Sequence, residues 1–118
     1  MREKKPNLVV DKTFDFALKI IDIYKYLVND MKEYVLSKQL LRSGTSIGAN
    51  VREGIVAQSR KEFVAKLNIA LKEAHETEYW LDLLKHSNYL EDNSDILIEI
   101  DSVIRIITSI IKTTNENK

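Results

Sequence analysis

The chain contains no cysteine, only one proline and three glycines, and its 18 basic residues are balanced by 18 acidic ones. The lack of cysteine excludes disulfides, thiolate metal sites and cysteine nucleophiles, and it favours a cytoplasmic protein. The zero net charge argues against a strongly basic nucleic-acid-binding protein, although local basic patches are compatible with it. No apolar run has the length of a membrane span or a signal-peptide core, so we expect no membrane partner.

The chain of 118 residues is long enough for one domain with its own apolar core. It has no internal repeat, low-complexity linker or shift in composition, so we predict a single domain over residues 1–118. Residues 1–11 are charged, and Pro6 disfavours a helix across them. We therefore expect these residues to form a mobile lead-in.

Apolar residues recur at helical spacing in four stretches, which predicts an all-α fold, an antiparallel up-down-up-down four-helix bundle. The first helix is expected to open at Asp11 or Thr13 and to carry a stripe from Phe16 to Met31. The apolar surface of this helix is wider than one core contact requires. The residues that widen it are Phe14, Leu18, Ile21 and Val28.

The other three helices have recognisable starts. Ser37 is a candidate cap for a second helix that runs to about Gln58. Ser59 and Glu62 fit a capping box at the start of the third helix. Asn93 or Ser94 would cap the fourth. The third helix repeats apolar and small residues in an alternation of four and three, and the fourth carries a stripe of isoleucines. The third-helix row is Phe63, Leu67, Ala70, Ala74, Thr77, Leu81 and Leu84, and the fourth-helix stripe is Ile96, Ile100, Ile104, Ile107 and Ile111.

The stretch Gln39–Gly54 has three glycines in a helical pattern, each costing roughly 0.5–1 kcal/mol relative to alanine. Close approach of another helix explains this cost. Asn50 and Glu53 border the buried face of the second helix, and Glu73 borders that of the third. We expect these three residues to form a buried polar network that sets helix register, the alternative being a role in binding a ligand or nucleic acid.

Two helices carry more apolar surface than one bundle core requires. The additional apolar residues lie beside the main stripes of the third and fourth helices, and we predict that they form a homo-oligomer interface. They are Ile69, Trp80, Leu83, Ile98 and Ile106. The alternative is a monomer with a broad core.

Carboxylates are frequent, but their arrangement does not indicate catalysis. A carboxylate-bridged di-metal bundle needs Glu-x-x-His pairs on two helices, and the chain has none. The serines have no histidine in the context of a known catalytic motif, and there is no glycine-rich phosphate loop. We predict no enzyme activity, no metal and no cofactor.

Basic residues of the second and third helices are candidates for contacts with nucleic-acid phosphates, as are Arg2, Lys4, Lys5 and Lys12 near the N-terminus. The helical candidates are Arg42, Arg52, Arg60, Lys61 and Lys66. Acidic residues are interleaved with them, so an ordinary mixed-charge surface is the alternative.

The sequence QLLRSGTSIGANVREG of Gln39–Gly54, followed by IALKEAHETEYWLDLL of Ile69–Leu84, resembles bacterial four-helix-bundle proteins first noticed within intervening sequences of 23S rRNA genes. The resemblance extends from about Phe14 to beyond Leu90. The resemblance is specific, because it depends on the order and spacing of several residues. They are Arg42, Ser46, Asn50, Glu53 and Gly54, followed by Glu73 and Glu76 on the third helix. The accessory protein of diversity-generating retroelements is similar in fold.

This resemblance implies a compact bundle that assembles as a ring-shaped homopentamer and has no catalytic activity. The retroelement relatives use a basic surface to bind nucleic acid and a reverse transcriptase. RNA and a protein bound to nucleic acid are therefore expected partners, beside the chain itself. The alternatives are a bundle that binds a metal or small molecule, and a structural assembly without nucleic acid.

Overall fold

The computed structural model describes residues 4–91 and 94–117, with side chains from residue 8 onward. Its four helices are α1 (Lys4–Asn29), α2 (Leu36–Ile55), α3 (Arg60–His86) and α4 (Ile96–Glu116). Each helix packs against the next in the chain, and α1 also contacts α4, less extensively than it contacts α2. The predicted all-α, four-helix fold is confirmed.

The first helix begins earlier than the sequence predicts. It starts at Lys4 and includes Pro6, so the prediction of a lead-in outside the helix is wrong for residues 4–11. Pro6 is the third residue of α1, where the backbone N–H has no partner inside the helix, so the missing N–H costs nothing. Thr13 is not a cap, because its hydroxyl donates to the carbonyl of Val9 at 2.8 Å inside the helix.

The core follows the predicted stripes closely. Of the seven residues in the predicted third-helix row, only Phe63 is half-buried, and the other six are buried. In α4, Ile104 and Ile111 of the predicted stripe are half-buried, and Val103, which the stripe did not include, is buried. Ile104 is half-buried because the helical repeat of 3.6 residues shifts the inward-facing position relative to a fixed isoleucine pattern.

Small residues of α2 bring α1 and α3 close to it. A Cβ atom added to Gly44 would lie 2.9 Å from two side-chain carbons of Ile20 in α1, and one added to Gly54 would lie 3.0 Å from Leu67 in α3. Between α2 and α3, the buried hydroxyls of Ser43 and Thr77 form a hydrogen bond of 2.9 Å. The expectation that the glycines permit close helix approach is confirmed.

A glutamate that the sequence did not single out caps α2. The carboxylate of Glu33 accepts hydrogen bonds from the amides of Val35, Leu36 and Ser37, at 3.3, 2.9 and 2.7 Å. Ser37, the predicted cap, lies inside the first turn and donates its hydroxyl to the Glu33 carbonyl at 2.8 Å. Positive φ at Lys32 (57°) turns the chain before Glu33. The prediction of Ser37 as cap is therefore wrong, because Glu33 already satisfies the free amides.

The predicted capping box of α3 is present with one difference. Ser59 accepts from the Glu62 amide at 3.0 Å, and the Glu62 carboxylate accepts from the amide of Gln58 at 2.8 Å, one residue before the cap. In front of α4, the Ser94 hydroxyl accepts from the Ile96 amide at 3.3 Å. The alternative cap, Asn93, lies outside the described residues.

Gly44→Ala is expected to lower the free energy of unfolding by about 1–3 kcal/mol, because the new methyl group overlaps Ile20. Gly48→Ala is the matched control. Its Cβ would lie 3.3 Å from the Thr13 hydroxyl, so the gain in helix propensity offsets most of the crowding. Chemical denaturation measures both variants. Equal stability changes at the two sites would contradict close packing at Gly44.

Glu33→Gln is expected to lower the free energy of unfolding by about 1 kcal/mol at neutral pH, because the cap loses its charge. Burial raises the pKa of Glu33, but the amide hydrogen bonds outweigh burial and hold it below its ordinary value. The stabilisation is therefore complete above about pH 4.3, the ordinary glutamate pKa, and is lost as the pH falls through the lower folded-state pKa.

The measurement is denaturation of both proteins between neutral pH and the acid range. The difference between wild type and Glu33→Gln should shrink towards acid pH. A difference that stays constant with pH would show that the Glu33 charge does not stabilise α2.

Candidate interaction surfaces

Histidine and carboxylate side chains do not converge on a ligand site in the part of the chain that the structure describes. No group of three or more His, Asp or Glu residues there is placed to hold a metal ion. His75 is exposed, 3.9 Å from Glu78. Nδ1 of His86 lies 2.9 Å from the carbonyl of Asp82, so the Asp82 carboxylate is not its partner.

Two of the five basic candidates on the helices form ion pairs with acidic side chains. Arg42 binds Glu73, at 3.2 Å, and Glu76, and Lys66 binds Glu53 at 2.7 Å. These contacts join α2 to α3. The charges of Arg42 and Lys66 are therefore balanced within the chain, which makes both residues weak candidates for phosphate contacts.

The other three candidates keep an unbalanced charge. The Arg60 guanidinium donates to the backbone carbonyl of Asn117, which carries no formal charge. The Arg52 guanidinium lies over the Phe14 ring, 5.3 Å from its centre. Lys61 is exposed and has no acidic partner within 4.0 Å among the described side chains. Lys12 is half-buried, and the side chains of Arg2, Lys4 and Lys5 lie outside the described residues.

The structure does not join Asn50, Glu53 and Glu73 into one network within the chain. The Asn50 amide donates to the Ser46 carbonyl of its own helix at 2.9 Å. Glu53 and Glu73 are bound to different cations. The buried polar link between α2 and α3 is instead the pair Ser43 and Thr77. Both residues stand in the buried stripes, and a search for facing hydroxyls in those stripes would have found them.

Trp80 lies beside the ion pair between Arg42 and Glu76. Its indole N–H donates to the Glu76 carboxylate at 3.0 Å, and its ring meets the Tyr79 ring edge-on at 5.2 Å. The hydrogen bond from Trp80 lowers the pKa of Glu76, as does Arg42, while partial burial opposes them. Hydrogen bonds to the two glutamates raise the pKa of Arg42. Arg42, Glu76 and Trp80 thus fix one another on the outer side of the α2/α3 contact.

The predicted oligomer-interface residues divide into two groups. Ile69, Leu83 and Ile98 are exposed by 42%, 36% and 70%. Trp80 and Ile106 are half-buried and pack against the core of their own chain. A subunit contact would thus cover the first three fully and only the outer part of the other two.

A second apolar surface lies along the seam between α1 and α2. Here Phe14 and Leu18 are exposed by 48% and 47%. Together with neighbours on both helices they line a shallow groove of about 250 Å³. Its lining residues are Thr13, Phe14, Ala17, Leu18, Ile21, Thr45, Gly48, Ala49 and Arg52. The sequence showed the excess width of α1, but it did not assign that excess to an interface.

No described helix combines the length and apolar character needed to cross a membrane.

Comparison with known proteins shows the family of the chain. The sequence model of the 23S rRNA-intervening sequence protein family matches residues 5–109. A crystal structure of a protein with unknown function, from the S23 ribosomal protein family of Bacteroides thetaiotaomicron, is 53% identical, with a TM-score of 0.90 over 92% of this chain and 99% of that chain. No curated protein matches. The chain therefore belongs to the 23S rRNA-intervening sequence protein family.

Proposed function

We propose that this protein is a non-catalytic helical bundle that assembles with copies of itself and serves as a scaffold. The observation that carries the proposal is the exposure of large apolar side chains, Phe14 and Leu18 at the α1/α2 seam and Ile69, Tyr79 and Leu83 on α3. Exposed apolar surface on a soluble protein often marks a binding site. Coverage by further subunits removes this surface from water.

Five is the proposed number of subunits, and it comes from the resemblance to the family's ring-shaped pentamers. The alternative function, a bundle that binds a metal or small molecule, has less support. The described residues hold no metal-ligating group, and the groove of the α1/α2 seam is shallow and open. Ligand sites in proteins are usually concave pockets that bury most of the ligand.

RNA binding is a second candidate function, supported by Arg52, Arg60 and Lys61. Their charges are not balanced by acidic side chains among the described residues. Arg60 and Lys61 are adjacent at the start of α3, close to the end of α2. A ring would repeat this weak basic region on every subunit and so raise the affinity through multivalency. A reverse transcriptase or another protein bound to nucleic acid stays a proposed partner on the resemblance alone.

The mass in solution tests the assembly. Light scattering on the size-fractionated protein should give about five times the 13.7 kDa of one chain. The mass should persist on dilution into the low micromolar range, because subunit contacts that cover core-like apolar surface are stable. A mass of one chain at every concentration would refute the proposed function. A stable assembly of another size would refute only the number five.

RNA binding is tested by fluorescence anisotropy with a labelled structured RNA over a range of salt concentrations. The affinity should fall steeply with salt, and Arg60→Gln combined with Lys61→Gln should weaken binding and reduce the salt dependence. Arg105→Gln combined with Lys19→Gln is the matched control, because both cations are exposed but already paired, with Asp101 at 2.7 Å and Glu99 at 2.6 Å. Absence of binding at low ionic strength, or equal effects of both changes, would refute this candidate.

A further inference from the structure

We draw no further inference here: the strongest candidate, the shallow apolar groove of the α1/α2 seam lined by Phe14, Leu18 and Arg52, carries nothing because nothing in the structure shows what covers it.

Discussion

The close approach of α1 and α3 to α2 is the constraint on which the rest of the molecule depends. Gly44 has no side chain, so Ile20 of α1 lies where a Cβ atom would otherwise stand. On the other side of α2, Ser43 and Thr77 are small enough to meet, and the Thr77 hydroxyl donates to the Ser43 hydroxyl at 2.9 Å. Larger residues at these positions would separate the helices and open cavities beside the buried leucines and isoleucines.

This close packing also shapes the surface. With α1 drawn against the small residues of α2, Phe14 and Leu18 have no core position to occupy and lie exposed beside Thr45 and Ala49. On α3, Glu76 binds Arg42 of α2 and accepts the hydrogen bond from Trp80, while Ile69 and Leu83 stay exposed. The same packing that makes the core tight therefore leaves large apolar side chains of α1 and α3 exposed.

The sequence correctly predicted the features that follow from helical periodicity. It missed the features that depend on single side-chain contacts. The buried row of α3 followed from regular spacing, because one helix face must be apolar to pack. The starts of α1 and α2 did not follow from it. Pro6 is tolerated in a first turn, and Glu33 reaches forward to three amides from a position outside the helix. Similarly, Asn50 found a partner on its own helix, which no spacing rule specifies.

The sequence by itself determined four helices, their buried faces, the close approach at the glycines and the family, because each depends on local pattern. Only the tertiary structure decided which charges neutralise each other and which apolar residues remain exposed. Arg42 and Arg52 stand ten residues apart on one helix, yet the first meets two glutamates and the second meets a phenylalanine ring. Such pairing depends on the distance and rotation between helices, which residues far apart in the chain set together.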